Sequence, residues 1–455
     1  MDPGPSFWLR QDPYQPSPAL AHGCTADVAI VGGGFTGLWT AIELGRRAPQ
    51  LRTVVLEQGV VGYGASGRNG GFCEASLTHG HANGVRHFPG EVDELERLGE
   101  LNFRGLADFI AEHAIACDFE ETGLLELATS PAQADELRQE LEARGAHDPQ
   151  AVWLDASAVQ QHLRSPLLLG GVRSTGGSAL LNPARLARGL RRVAEAQGVR
   201  VYEQTPVRRI RPTAGGVELR TAGGSVRARR VVLATNAYSG ALLRRLRRRF
   251  VPVYDYILVS EPLTARQRER VGWAHREGAA DRGNHFHYFR LTADDRILWG
   301  GYDAIYHFGG RVGPAFDHRA PTYSRLEAQF RAMFPQLHDL RFSHRWGGPI
   351  ASTTRFTCTF GSAFGGRLLY ALGYTGLGVA ATRFAARVLG DQLLDPDSPL
   401  LRLRFVRRPP FPFPPEPLRV ATLAAVQAAM TRADRTGRRG LLLSTLDRLK
   451  IGFDS

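Results

Sequence analysis

The sequence predicts an α/β domain with a parallel sheet, interleaved with an α+β domain built on a mixed sheet and followed by a helical C-terminal tail. Three observations predict it. A strand, a glycine-rich turn and a helix follow one another near residues 27–47 and again near 367–394, at opposite ends of the chain. Between them lie short β-rich segments crowded with tyrosine, phenylalanine and tryptophan. The length, 455 residues, suits two domains, and 43% hydrophobic with 22% charged residues is an ordinary globular composition that can bury a sizeable core.

The first element is the apolar, β-branched run Asp27-Val28-Ala29-Ile30-Val31, followed at once by Gly32-Gly33-Gly34-Phe35-Thr36-Gly37 and a helical pattern over 38–47. Gly32, Gly34 and Gly37 occupy the G-x-G-x-x-G positions: a tight turn, a close backbone approach to a pyrophosphate, and close packing of helix on strand. A second strand, Thr53-Val54-Val55-Leu56, ends in Glu57, twenty residues after Gly37, where an acid meets ribose hydroxyls. This is a Rossmann-like unit for an adenine dinucleotide, with NAD and FAD both open. The next segment, Gly62-Tyr63-Gly64-Ala65-Ser66-Gly67-Arg68-Asn69-Gly70-Gly71, carries five glycines in ten residues and cannot be the interior of a helix or strand. Such a loop suits a bulky flavin dinucleotide that must be wrapped along its length.

Further on, Asn182 and Pro183 make an N-cap and first helical position, with Gly198 as the stop. A strand over 199–210 containing Val207, a hairpin at 217–219 and a buried strand at 231–234 come next, then the aromatic strands at 251–259 and 296–299. The strand at 367–372 leads into Gly373-Tyr374-Thr375-Gly376-Leu377-Gly378 and a helix over 379–394, whose positive N-terminus can face the same ligand as the first. Six of the nine residues from 409 to 417 are proline, a semi-rigid linker to a helical tail that offers a packing or self-association face. The expected division is 24–90, 170–250 and 340–405 for the dinucleotide domain, 91–169 and 251–339 for the substrate domain, and 406–455 for linker and tail.

Together these segments resemble the FAD-dependent glycine/D-amino acid oxidase family over nearly the whole chain, from about residue 26 to 394. Pro252-Val253-Tyr254-Asp255-Tyr256, Trp299-Gly300-Gly301-Tyr302-Asp303 and Trp346-Gly347-Gly348-Pro349 resemble the branch that contains gamma-glutamylputrescine oxidoreductase. The resemblance implies that Gly32, Gly34, Phe35, Thr36, Gly37, Glu57 and Gln58 hold the ADP half of a non-covalent FAD, and that Val207 meets the adenine through its backbone. It implies that Gly64, Ala65, Ser66, Gly67, Arg68, Asn69, Gly70 and Gly71 follow the ribityl chain and flavin. It further implies that Thr235 and Asn236 stand beside the cofactor and that Gly373, Tyr374, Thr375, Gly376 and Gly378 line the pyrimidine end of the ring. The implied reaction is oxidation of a small amine or amino acid: hydride passes from the amine carbon to flavin N5, the imine hydrolyses, and O₂ or another acceptor reoxidises the flavin. Gamma-glutamylputrescine-like amines lead the expected substrates. D-amino acids, sarcosine, glycine and an amine carried by tRNA are the alternatives. Arg68, Tyr254, Tyr288, Arg290, Trp346 and Tyr374 are the candidates for positioning substrate, each equally explicable by core packing or an internal ion pair.

The remaining features point to no further chemistry. The formal charge is +13, but only Lys450 among the 57 basic residues is a lysine, so the excess resembles a compositional bias more than a nucleic-acid face. The five arginines at 244, 245, 247, 248 and 249 are its one local cluster, expected to be a solvated connection between the domains. Cys24, Cys73, Cys117 and Cys358 lack zinc spacing, and Cys73 is expected to be a buried thiol and not a flavin link. His79, His81, His87, His285 and His287 have no carboxylate or cysteine at ligand spacing, so no metal is expected. No signal peptide or spanning segment is apparent, and a cytoplasmic enzyme with no membrane partner is the expectation. Oligomeric state leaves no motif.

Overall fold

Val28, Ala29, Ile30 and Val31 are all buried, as a β-branched run in a sheet covered on both faces must be. In a computed structural model, which describes residues 6–145, 148, 150–436, 438 and 440–451, they form the middle of an eight-stranded sheet. Its path runs Thr359–Ala363, Leu368–Leu372, Ser225–Leu233, Cys24–Val31, Thr53–Leu56, Arg200–Tyr202. All neighbours after the first pair are parallel. Helices Phe35–Arg47, Val92–Glu112, Pro183–Ala196 and Gly378–Leu394 share one core on one face, with Leu38, Leu106, Leu190 and Phe384 inside it. Asn182 caps the third of these through a side-chain oxygen that accepts from Arg185 N–H, as its position ahead of Pro183 predicts.

The second sheet has nine strands and carries the aromatics. Its path is Ile305–Tyr306, Val251–Ser260, Ile297–Gly301, His287–Leu291, Gly278–Asp281, Leu124–Ala128, Gly170–Ser174, Val152–Asp155, with Phe342–Ser352 paired along Val251–Ser260. Trp299, Phe289, Phe330 and Phe334 pack edge to face or tilted in its core against helix Ala320–Met333. A two-stranded ribbon, Phe72–Glu74 with Ser178–Leu180, lies apart from both sheets.

Four expectations are corrected. Helix Val92–Glu112, expected in the substrate domain, packs with the dinucleotide-domain helices through Leu95, Leu98, Phe103 and Leu106, an amphipathic face whose partner the local sequence does not name. Val207 is not in a strand: Arg200–Tyr202 ends early, and the next strand, Arg209–Thr213, starts beyond Val207, because Pro206 removes a ladder N–H between them. Gly170–Ser174 and Phe342–Ser352, expected in the dinucleotide domain, belong to the second sheet, through pairing with Leu124–Ala128 and Val251–Ser260. Such partners are distant in sequence, so no local pattern announces them.

The tail also has a definite place. After the proline linker come helices Leu418–Thr436 and Leu441–Arg448, and residues 452–455 lie outside those described. Leu423 and Phe413 pack on Val251, and Asp434 accepts hydrogen bonds from the Asn284 backbone N–H (3.0 Å) and side-chain amide (2.6 Å). The tail is therefore fastened onto the aromatic sheet. Among the described residues no helix is long and apolar enough to cross a membrane.

Candidate functional site

Between the two sheets runs a cavity of about 2000 Å³, well above the range of roughly 300–1,000 Å³ typical of one small ligand. Its first stretch is built on the glycine turn. Gly32 has φ +110°, and an added Cβ would sit 2.7 Å from the Ala234 carbonyl oxygen, so only glycine fits there. A Cβ on Gly37 would come 2.0 Å from the Gly32 carbonyl oxygen, which shows how tightly the helix rests on the turn. Glu57 is buried and accepts from Gly33 N–H (2.7 Å) and Gly59 N–H (2.8 Å). Burial raises its carboxyl above the usual range while those N–H groups favour the charged form. Each oxygen keeps a lone pair for a sugar hydroxyl.

The second glycine turn meets the first. The Thr36 and Tyr374 hydroxyls are 2.8 Å apart, joining the opening turn of helix Phe35–Arg47 to the loop that starts helix Gly378–Leu394. Gly373 N–H donates to Asn236 Oδ1 (2.9 Å), which ties in the loop after the strand Ser225–Leu233. Two helix N-termini thus border one cavity, a setting for anionic groups at either end of a long ligand.

The loop 62–71 is held from behind. Ser6 Oγ donates to Gly67 C=O (2.6 Å), Trp346 Nε1 to Arg68 C=O (2.9 Å), Trp8 Nε1 to Asn69 C=O (2.9 Å) and Arg290 Nη1 to Gly71 C=O (3.2 Å). With those carbonyls satisfied on the outer side, the Asn69 and Gly70 N–H groups, which find no partner among the described residues, are left to the cavity. Ser66 Oγ accepts from Phe35 N–H (2.9 Å) and fixes the loop to the first helix. The donors, the buried carboxylate and the glycine cradle fit a flavin dinucleotide.

Of the residues singled out from sequence, Gly32, Gly34, Phe35, Thr36, Glu57, Gln58, Gly64, Ala65, Ser66, Arg68, Asn69, Gly70, Val207, Thr235, Asn236, Tyr374, Thr375, Gly376 and Gly378 line this cavity. Gly37, Gly67, Gly71 and Gly373 stand just behind it, each where a Cβ would meet another group within 2.5 Å. Tyr254 and Tyr288 line it as well. Arg290 and Trp346 do not: they are buried behind the loop and hold its carbonyls, so the structure gives them a scaffolding place and not contact with substrate. Arg68 reaches the cavity, but its guanidinium is spent on Asp317 at 2.7 Å, both side chains almost wholly buried. Cys73 points to the core on the opposite face of its strand from Phe72 and Glu74, and burial raises its thiol pKa, which keeps it protonated. His285 and His287 pack with Tyr302, and His287 pairs with Asp281 at 2.7 Å.

Sequence reasoning missed four contributors. Asp255 lines the cavity, accepts from the Tyr288 hydroxyl and from Tyr256 N–H, and burial pushes its carboxyl up to about 6. An acid inside an apolar, tyrosine-flanked strand was the available signal. Trp8 and Ser6 gave none. The tail supplies Leu423, Val426, Gln427 and Met430 to the wall. Beyond Glu57, Asp255, Asp303 and Arg68, the charged lining is mostly acidic: among the described residues Glu74, Glu96, Glu100, Glu126, Glu136, Glu140, Asp148 and Asp281 line the cavity against Arg86, Arg104, Arg144 and Arg282, with Glu126 and Glu140 paired to Arg144 and Arg282 and Asp281 to His287.

Residues 27–392 match the family model described as FAD dependent oxidoreductase. The chain belongs to that family. Its cofactor is FAD, and the protein is an FAD-dependent oxidoreductase. Among curated proteins it is 31% identical over 436 residues to gamma-glutamylputrescine oxidoreductase of Escherichia coli, covering 93% of this chain and 96% of that one. It is 29% identical over 399 residues to the probable oxidoreductase OrdL of Haemophilus influenzae, covering 85% and 86%. Among solved structures, glycine oxidase from Geobacillus kaustophilus superposes with a TM-score of 0.66 at 22% identity, over 81% of this chain and 94% of the other, which shows a shared fold.

Proposed function

We propose that this FAD-dependent oxidoreductase oxidises a small linear amine, with gamma-glutamylputrescine as the first substrate to test and O₂ as the acceptor. The observation that carries the reading is electrostatic. A chain of net charge +13 lines its cavity with these eight carboxylates against four arginines, and Arg68, the arginine of the flavin loop itself, is paired with Asp317. That arrangement favours a cation and offers no free guanidinium beside the loop for the carboxylate of an α-amino acid. Likeness over nearly the full chain to gamma-glutamylputrescine oxidoreductase supports the same reading.

The overall reaction, RCH₂NH₂ + O₂ + H₂O giving RCHO + NH₃ + H₂O₂, needs the amine neutral and aligned. Bound FAD supplies the two-electron acceptor. Asp255 receives the incoming ammonium and takes its proton, its raised pKa making it a better base than an exposed carboxylate. Tyr288 keeps that carboxylate oriented, and the aromatic walls exclude water around the reacting carbon. Anaerobic addition of gamma-glutamylputrescine should bleach the flavin absorbance, and aerobic turnover should release peroxide. Bleaching by glycine, sarcosine or D-amino acids with none by linear amines would replace this reading with the amino-acid one.

A further inference from the structure

One strand runs from beside Tyr288 and Asp255 to an acidic residue of the cavity wall. Phe72 and Glu74 lie two residues apart on strand Phe72–Glu74 and so face the same side, while Cys73 between them faces the core. The Phe72 ring meets Tyr288 edge-on at 5.7 Å between centroids, and Tyr288 bonds Asp255. Adding the rise of two strand residues puts the start of the Glu74 side chain within roughly 12 Å of the Tyr288 ring.

Glu74 is half-buried and, unlike the arginine-paired Glu126 and Glu140 near it, forms no ion pair or hydrogen bond among the described residues. Directly across the ribbon stands Ser178, on the same face, only 8% exposed, and its hydroxyl has no hydrogen-bond partner among the described residues. Both residues line the cavity. An unspent carboxylate beside an unspent hydroxyl is a receiver for a compact group with several donors. The carboxylate and the hydroxyl oxygen can both accept from a primary ammonium.

We infer that Glu74, with Ser178, binds the distal, non-reacting ammonium of a linear substrate whose other amine is oxidised at the Asp255 end. The inference rests on the amine reading above and deepens it: the preferred substrate carries two cationic nitrogens separated by a flexible chain. Glu74 is then a specificity residue that acts on binding and leaves the chemical step alone. Burial, with Glu126 nearby, already lifts its carboxyl to about 7, so it gains more from a cationic partner than a solvated glutamate would.

The test uses the full-length, FAD-loaded protein with linear α,ω-diamines of four to eight carbons and monoamines of matched length. KM and kcat come from peroxide release, and Kd from the anaerobic change in flavin absorbance. Glu74→Gln should raise KM and Kd for the best diamine by at least about tenfold with kcat within about twofold, and leave the matched monoamine unchanged. Glu74→Asp should recover part of the loss, and Ser178→Ala should shift Kd in the same direction by less. Equal effects on diamine and monoamine, or no effect on either, would overturn the assignment of Glu74 while leaving amine oxidation intact. A wild-type flavin that no amine bleaches overturns the amine reading itself, and this inference with it.

Discussion

At Gly34 and Gly32 two neighbouring glycines do different work, and substitution separates them. A Cβ on Gly34 would lie 2.8 Å from Ser66 Oγ, the atom that joins the flavin loop to the first helix, and would stand in the cavity. Gly34→Ala should give a folded but largely colourless protein. Gly32→Ala meets backbone at 2.7 Å with φ +110° and should lose the fold, so circular dichroism and flavin absorbance together distinguish the two. Trp346→Phe tests the carbonyl-holding device. It removes one donor from the buried Arg68 carbonyl at a cost of about 1–2 kcal/mol, so FAD affinity should fall by about five- to thirtyfold, measured by release of flavin fluorescence on dilution. The sequence alone could make Trp346 a candidate for importance but not for this role, because its partner stands 278 positions away.

Among the elements, the strand–turn–helix units were legible because their signals are local: a β-branched run, glycines at fixed offsets and an N-cap before a proline. The helix Gly378–Leu394 and the strand Leu368–Leu372 fall where periodicity and glycine punctuation put them. The assignment of Gly170–Ser174 and Phe342–Ser352 was not legible, since sheet membership depends on a remote partner. The tail illustrates the same limit: its helices follow from composition, but nothing local says that Gln427 and Met430 line a cavity. Asp434 is the latch, accepting from Asn284 and also from the His285 N–H at 3.2 Å. Asp434→Ala should raise the rate of limited proteolysis within residues 409–440 several-fold, with the flavin spectrum unchanged, because the element it frees lies outside both main cores.

For the whole molecule, two buried histidines add an acid-sensitive component to stability. Burial pushes His79 and His87 down to about 4 from 6.5, so both are neutral in the fold at neutral pH. Between pH 6.5 and about 4 the unfolded chain binds protons there that the folded chain does not, so the histidine contribution to stability falls as pH falls through that window; above it neither contributes. Asp255 and Glu74, whose carboxyls burial lifts to about 6 and about 7, bind protons in the fold over the same window and act in the opposite sense, so the histidine effect is read as a difference: the thermal midpoint of His79→Asn should gain on that of the wild type as pH falls from 7 to 4.5. The arginine cluster is occupied as well: Arg245, Arg247 and Arg248 donate to the carbonyls of Ser362, Gly240 and Phe413, which makes them connectors between segments and leaves the excess positive charge without a single focus.

The hydroxyl contact between Thr36 and Tyr374 spans 338 positions. During synthesis the glycine cradle emerges from the ribosome early, yet its companion helix is not made until residue 378 and beyond. At 5–20 residues per second that interval lasts roughly 17–70 seconds, during which the nascent chain presents apolar strands and half a cofactor site. The complete flavin site is therefore available only once nearly the whole chain has been made.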